Sequence, residues 1–328
     1  MPFLTRSRVP IAATWVLVLA STLMAQAPAL GTFVSSANAP SATVPDIPVS
    51  ETFHKRVDEV NVLFMVSNGS GRYNHELTLA DLQVLDNHLA PERISYFQKQ
   101  TDLPLRVGIL IDLSDSVTQR FSYEKKAATA FLQKVLRPQI DEAFIVGFGS
   151  NVELHQDFTS DQRALAAAVK HLHAGGDTRL YDAIRFASEK LGHASGPSAV
   201  RRAIILITDG EDTRSQILMY DAVQAALRSE TAIFALSSND MALDRYPHGE
   251  AVLELISRPT GGGVLPAHNP FEIGRAFNRV KEALRNQYAL GYKPAEFKAD
   301  GSFRSIEIVP RQAKLRVQCR RGYFAPRE

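Results

Sequence analysis

Two patterns of apolar residues divide this chain. Between residues 104 and 287, uninterrupted apolar runs such as LRVGILID and RRAIILITDG alternate with segments in which apolar residues recur at helical spacing. Uninterrupted runs are typical of strands that are buried on both faces, and their alternation with helices favours a parallel sheet. The pattern therefore predicts an α/β fold over residues 104–287, doubly wound, with helices on both faces of a mostly parallel sheet.

Shorter apolar runs flank this block. Residues 51–103 and 288–328 contain short candidate strands separated by turn signals such as Asn68-Gly69 and Asp300-Gly301. Each flank offers too few strands to bury one face by itself. We therefore expect the N-terminal and C-terminal β segments to pack together as one small, sandwich-like β unit, with the α/β domain inserted between them.

The first 27 residues have the order of a secretory signal peptide. Arg6 and Arg8 precede an apolar stretch that ends in small residues. An apolar stretch of about 15 residues is short for a membrane span, which needs roughly 20, although a retained anchor is the alternative. Residues 28–50, rich in Pro, Ser and Ala, predict a flexible linker. We therefore expect an exported protein, periplasmic or extracellular, without a stable membrane span after signal cleavage.

Charge, motifs and cysteine content argue against several classes of function and against an internal disulfide. The 328 residues include 37 basic and 35 acidic side chains, so no basic excess indicates nucleic-acid binding. No Gly-x4-Gly-Lys-Ser/Thr motif is present, which argues against nucleotide binding by a phosphate loop. Cys319 is the only cysteine, so the chain forms no internal disulfide. In a strand, Cys319 would point to the same face as Leu315 and Val317, which predicts an inward-facing, inert thiol.

Short polar side chains follow the ends of three predicted strands or helices. Asp112, Ser114 and Ser116 stand in IDLSDSV, Thr178 in AGGDTRLYDA, and Asp209 in AIILITDG. In open α/β sheets, ligands bind at the carboxyl ends of the strands. All five side chains offer small oxygen ligands, which hard divalent cations prefer. The sequence therefore predicts a metal site made of these five residues.

These three motif parts, in this order, resemble the metal-ion-dependent adhesion site of von Willebrand factor type A domains. The resemblance covers roughly residues 104–288. It implies that the five residues bind Mg²⁺ or Mn²⁺, with Ca²⁺ as a third candidate, and that some contacts run through water. The flanking stretches LTLADLQVLDN and VQCRRGYF are similar to those of exported bacterial proteins related to this family.

Four acidic residues near the motif need separate interpretation. Asp115 and Asp177 stand where many relatives of the resembled family have glycine. Each could raise the negative potential of the rim or point into solvent, and we favour solvent. Glu211 and Asp212 indicate a solvated helix start together with Ser215, and a contribution to ligand contact is the alternative. A second, regulatory metal is not expected, because the additional aspartates of integrin-type sites are absent after Ser116.

The resemblance implies a binding module rather than an enzyme. In such a module, used for adhesion or as a scaffold, the cation bridges to an acidic residue of a partner protein. Two alternatives remain open: a metal-dependent hydrolase in which the cation activates water or Ser114, and a structural envelope protein whose metal only fixes loops. A hydrolase needs a general base, and no histidine stands in the three motif loops. We therefore expect no enzymatic activity.

Overall fold

The strands and helices follow the order that the apolar pattern predicts. The structure is a computed structural model that describes residues 59–69, 71–73, 76–118, 121–194, 200–239 and 248–327. The described residues contain strands β1 to β13, which in chain order are Val60–Asn68, Leu82–Asp86, Arg93–Gln100, Leu105–Asp112, Glu142–Phe148, Val152–Thr159, Arg201–Thr208, Thr231–Ser237, Gly263–Pro266, Gln287–Lys293, Phe303–Pro310, Leu315–Cys319 and Gly322–Phe324. They also contain helices α1 to α6, which are Phe121–Val135, Gln162–His171, Leu180–Gly192, Met219–Arg228, His248–Ser257 and Pro270–Arg285.

The N-terminal predictions fall on residues that the structure does not describe. The predicted signal peptide, residues 1–27, and the predicted linker, residues 28–50, lie outside the described ranges. The described residues belong to one unit that spans residues 56–328. Within them, no helix has both the length and the apolar character that a membrane crossing requires.

A six-stranded sheet with the order β6-β5-β4-β7-β8-β9 forms the α/β part. All neighbouring strands are parallel except β6, which runs antiparallel to β5. Every residue of β4 is buried, as expected of a central strand covered on both faces. Ile109 packs with α1, α2 and α6 on one face, and Leu110 packs with α3, α4 and α5 on the other. The predicted fold class is confirmed.

Local sequence explains where several helices begin. The Asp161 carboxylate accepts hydrogen bonds from two backbone N–H groups of the first turn of α2. Asn269 caps α6 in the same way, and Pro270 occupies the first turn, where its missing N–H costs nothing. These caps fix the helices that follow β6 and β9, and so fix the direction in which the chain leaves the sheet.

The flanking segments form two antiparallel sheets, with orders β12-β1-β10-β3 and β13-β11-β2. Each sheet contains strands from both flanks of the chain: β1 pairs with β10 and β12, and β2 pairs with β11. A shared apolar core that includes Phe64, Val84, Leu290 and Ile308 lies between them. The predicted β unit built from N-terminal and C-terminal segments is thus part of the fold, while the domain boundaries at residues 103 and 287 stay predictions.

The interior of the β unit contains a buried ion pair. Asp86, at the end of β2, is fully buried and forms a salt bridge of 2.6 Å with Nη2 of Arg304 on β11. Its Oδ2 atom accepts hydrogen bonds from the hydroxyls of Tyr292, at 2.8 Å, and Tyr323, at 3.0 Å. One carboxylate from the N-terminal flank therefore satisfies three side chains from the C-terminal flank.

Cys319 is expected to react slowly with thiol reagents in the native protein. The side chain packs against the core of the β unit, and burial raises the pKa of the thiol from the usual 9.0 to about 11. A difference of two pKa units means roughly 100-fold less thiolate at pH 8, and the thiolate is the reactive form. The reaction rate should rise with pH up to about 11. A disulfide reagent added to native and to denatured protein at pH 8 measures this ratio, and equal rates would contradict it.

Candidate metal centre

Two of the three predicted loops leave the central sheet side by side. Strands β4 and β7 are parallel neighbours, and Ile111 lies opposite Ile207 in their register. Asp112 is the last residue of β4, and Asp209 directly follows β7. Both carboxylates therefore emerge at the same edge of the sheet, although the two loops are far apart in sequence.

The Asp112 carboxylate is buried and held from two sides. Its Oδ1 atom accepts the backbone N–H of Ser114 at 2.8 Å, and its Oδ2 atom accepts the hydroxyl of Thr208 at 2.6 Å. Burial raises the pKa of the Asp112 carboxyl to about 6, and the hydrogen bonds from Thr208 and Ser114 counteract this increase. The carboxylate thus has a fixed orientation in a desolvated position.

A chain of hydroxyl groups connects the first loop with the loop after β7. The hydroxyls of Ser114 and Ser116 are 3.0 Å apart. Ser116 also donates to Oδ2 of Asp209 at 2.6 Å, across 93 residues of sequence. Ser114 and Asp209 are buried, whereas Ser116 is exposed. The structure therefore brings Asp112, Ser114, Ser116 and Asp209 into one polar cluster that reaches solvent at Ser116.

The charge of this cluster suits a cation. Among the described residues, no lysine, arginine or histidine forms a salt bridge with Asp112 or Asp209, and Asp209 disfavours the ionised form of Asp112. Buried carboxylates are stable as anions only when a positive group or several donors compensate them. In the described part of the chain, no group of three or more His, Cys, Asp or Glu side chains could hold a metal. Two carboxylates with neutral hydroxyls nevertheless fit the oxygen-ligand preference of Mg²⁺.

Thr178 belongs to the third loop, which the structure connects to both others. The Thr178 N–H donates to the hydroxyl of Thr213, and its carbonyl accepts from the N–H groups of Thr213 and Arg214. On the other side, the N–H of Gly175 donates to the carbonyl of Leu113. Thr178 is buried between these contacts. They fix its backbone beside the cluster, and its hydroxyl as a metal ligand stays a prediction.

Asp115 is exposed and Asp177 is partly exposed, as the favoured interpretation has it, but each also contacts a neighbouring loop. Oδ1 of Asp115 accepts the N–H of Gly176 at 3.2 Å, which ties the first loop to the Thr178 loop. Oδ2 of Asp177 lies 2.6 Å from Nη1 of Arg214, which ties the Thr178 loop to the loop after β7. Each carboxylate remains partly accessible but binds a neighbouring loop, because three loops converge at this edge.

Breaking the Asp177–Arg214 pair is expected to have a small effect. The two side chains are 44% and 61% exposed, and exposed ion pairs contribute about 0.2–1 kcal/mol. A double-mutant cycle with Asp177→Ala and Arg214→Ala, read out by denaturant unfolding, should give a coupling energy in this range. A coupling well above 1 kcal/mol would show that the pair holds the loops more firmly than its exposure suggests.

Two further residues support the site through contacts that were not predicted from the sequence. Thr208 holds the Asp112 carboxylate, as described above. Asp212 accepts the N–H of Leu180 at 2.8 Å and the hydroxyl of Ser215 at 2.5 Å. Asp212 thus caps α3, the helix that follows Thr178. The predicted helix start at Asp212 and Ser215 is wrong, because α4 begins only at Met219. Ser215 instead accepts the N–H of Tyr181 in α3, a contact that sequence spacing does not reveal.

Two glycines allow close packing behind Asp209. Gly210 has a φ of +88°, which favours glycine, and a Cβ atom there would lie 2.5 Å from the carbonyl oxygen of Gly249. A Cβ on Gly249 would lie 2.0 Å from the carbonyl oxygen of Asp209. That carbonyl also accepts the Asn239 side-chain amide at 2.6 Å. The backbone around Asp209 is therefore fixed by α5 and by the segment after β8.

Residues 107–211 match a family model described as the von Willebrand factor type A domain. The matched segment begins within β4 and includes all five predicted metal ligands. Comparison with curated proteins finds no match.

Several solved structures are similar to the chain. BatB from Bacteroides thetaiotaomicron has 18% identity and a TM-score of 0.44 over 55% of this chain and 98% of that chain. The vWF domain of the type V pili tip protein Mfa5 from Porphyromonas gingivalis has 13% identity and a TM-score of 0.46 over 56% and 95%. A von Willebrand factor type A structure from Catenulispora acidiphila has 12% identity and a TM-score of 0.47 over 83% and 74%.

At such low identities and TM-scores, these similarities carry no information about ligands or partners. The family match rests on residues of this chain, and the same residues form the central strands β4, β5 and β7 and the three loops of the cluster. Residues 107–211 therefore match the von Willebrand factor type A domain, in agreement with the resemblance of the three motifs.

Proposed function

We propose that the chain is an exported, metal-dependent protein-binding module used for adhesion or as a scaffold. Asp112, Ser114, Ser116, Thr178 and Asp209 would hold one Mg²⁺ or Mn²⁺. The observation that supports this most strongly is the continuous set of contacts from Asp112 through Ser114 and Ser116 to Asp209, without a positively charged partner among the described residues. When bound, the cation would supply a positive site for an acidic residue of the partner.

The neutral hydroxyls explain why such a site would accept a further acidic ligand. Ser114, Ser116 and Thr178 contribute oxygen atoms without formal charge, so Asp112 and Asp209 provide the whole negative charge of the set. Two carboxylates balance a divalent ion without a negative excess that would repel a third one. Ser116 is exposed, so the cluster is accessible from solvent at that position. A partner carboxylate could approach there.

The contacts around the cluster favour binding over catalysis. A hydrolase needs a general base within hydrogen-bonding reach of the attacking water. Of the acidic side chains around the cluster, Asp115 and Asp177 are engaged with Gly176 and Arg214. The three loops contain no histidine that could take the role. We therefore propose a non-enzymatic role for the cation.

Export is the second part of the proposal and rests on the order of residues 1–27. Trp15 is the only tryptophan and lies within the proposed signal peptide. Mature protein recovered from outside the cytoplasm should therefore emit tyrosine fluorescence only. Tryptophan emission from that material would contradict cleavage after residue 15 and would leave a retained N-terminal segment as the explanation.

A peptide selection tests the binding function directly. A random peptide display library is applied to the immobilised protein in Mg²⁺, and bound peptides are eluted with a chelator. The enriched peptides should share an Asp or Glu and should bind neither the chelated protein nor Asp112→Asn. Glu211→Gln is the matched control, since Glu211 is exposed and next to the cluster, and it should bind like the wild type. Selected peptides that lack an acid, or that bind Asp112→Asn equally well, would refute the proposal.

A further inference from the structure

A polar cavity lies at the other end of the central sheet, beside the amino-terminal ends of its strands. It has a volume of about 230 Å³ and separates the amino-terminal ends of β7 and β8 from strands β1, β3 and β10 of the β unit. Arg201, the first residue of β7, lines it, whereas Asp209 follows the other end of that strand. Seven residue steps along a strand span roughly 23 Å. The cavity is therefore separate from the candidate metal centre.

Arg201 has an incompletely satisfied guanidinium group. The side chain is 1% exposed, and its Nη2 atom donates to the carbonyl of Gln100 at 2.7 Å. Its Nε and Nη1 atoms have no hydrogen-bond partner among the described residues. Burial and repulsion by Arg285 and Arg137 lower the pKa of Arg201 to about 9. A buried cation with unpaired donors is costly, and an anionic acceptor would offset that cost.

The other charged groups of the lining leave the cavity positive. Arg202 and Arg320 line it together with Arg201, and Glu230 is the one acidic residue of the lining. Glu230 is already engaged by Nη1 of Arg320 at 2.6 Å. The Nε atom of Arg320 and the Oε1 atom of the nearby Gln287 also have no partner within the described residues. The guanidinium of Arg202 donates to the carbonyl of Leu191 on α3, on the other face of the sheet. Arg201 and Arg320, against one paired carboxylate, therefore leave the cavity positive and favour an anionic occupant.

We propose that this cavity binds a small oxyanion, a phosphate or the carboxylate of a small acid, with Arg201 as the principal contact. A guanidinium presents a planar set of donors that matches both groups. The cavity volume of about 230 Å³ has room for an ion of this size. The ligand would lie between the α/β domain and the β unit, and its binding would stabilise their contact.

Calorimetric titration of the mature protein with inorganic phosphate, and separately with succinate, tests this inference. Ionic strength is held constant with NaCl. The wild type should bind at least one of the two probes saturably with one site per chain, and the tighter of the two identifies the chemical source. Arg201→Gln should weaken binding by about 10- to 100-fold, as expected for the loss of charge-assisted hydrogen bonds. Arg163→Gln, an exposed arginine on α2, should bind like the wild type.

Two additional variants keep the test decisive. Arg201→Lys retains the charge but loses the planar fork, so it should bind more weakly than the wild type even if Arg201→Gln fails to fold. Asp112→Asn should bind the anion normally, which separates this site from the proposed metal site. Equal thermal stabilisation of wild type and Arg201 variants would reveal only the general effect of kosmotropic salts. That result, or the absence of saturable binding of both probes to the wild type, would overturn the proposal.

Discussion

Replacing Asp86 by alanine is expected to lower the free energy of unfolding by about 3–5 kcal/mol, the usual cost of removing one partner from a buried ion pair. Asp86 is fully buried and pairs with Arg304, which is also buried. Alanine would leave the Arg304 charge in the core without compensation. It would also leave the hydroxyls of Tyr292 and Tyr323 without their shared acceptor. Both losses act in the same direction.

Denaturant unfolding of the wild type and Asp86→Ala measures this difference. Glu92→Ala is a suitable control, because Glu92 pairs with Lys293 across the same two flanks, but the side chains are 58% and 42% exposed. The control should cost no more than about 1 kcal/mol. If Asp86→Ala were no more harmful than this control, the buried pair would not hold the two flanks together, and the account of the β unit would be wrong.

The second large effect concerns the proposed metal centre. If Mg²⁺ binds the folded chain and not the unfolded one, a concentration 100 times the dissociation constant should stabilise the wild type by about 2.7 kcal/mol. Asp112→Asn should lose this stabilisation, because the buried carboxylate of Asp112 is one of the two negative charges of the cluster. Asparagine keeps the size of the side chain, so the sheet around it is expected to remain intact. Unfolding curves with Mg²⁺ and with chelator measure the effect.

Two controls separate this effect from general ionic effects. Glu211→Gln removes an exposed charge next to Asp209 and should respond to Mg²⁺ like the wild type. Replacing MgCl₂ by NaCl at equal ionic strength should stabilise none of the proteins in a saturable way. Equal stabilisation of wild type and Asp112→Asn by Mg²⁺ would place the responsible cation elsewhere in the molecule.

Much of the fold could be predicted because strands that are buried on both faces consist mainly of apolar residues. Strand β4 is apolar at nearly every position, since helices cover both of its faces. Strand β6 gives a weaker signal: VELHQDF is largely polar, and the strand lies at the edge of the sheet with most of its residues accessible. Its antiparallel direction follows from the short connection after Phe148. The pattern of apolar residues does not indicate that direction.

The candidate site was predictable only in part. Asp112, Ser114, Ser116 and Asp209 could be grouped from sequence, because polar residues after parallel strands meet at one edge. The sequence did not reveal the hydrogen bond from Thr208 to Asp112, because it requires that β4 and β7 be neighbours. The contacts of Asp115 and Asp177 depend in the same way on loop packing.

The buried charges away from the site illustrate the same limit. Asp86 and Arg304 are 218 residues apart, and Arg201 and Gln100 are 101 residues apart. Neither pair has a local spacing that indicates contact. Their importance follows from the desolvation of a charge in the interior, and burial at that level becomes visible only when the chain is folded.

Titration of the protein with Mn²⁺, followed by electron paramagnetic resonance of the free ion, tests the central claim most directly. The wild type is expected to bind one Mn²⁺ per chain at the cluster of Asp112, Ser114, Ser116, Thr178 and Asp209, and excess Mg²⁺ should displace it. Asp112→Asn and Asp209→Asn should not bind the ion, Thr178→Ala should bind it more weakly, and Glu211→Gln should bind it normally. A wild type that binds no Mn²⁺, or an Asp112→Asn variant that binds it as tightly as the wild type, would contradict the metal-dependent account.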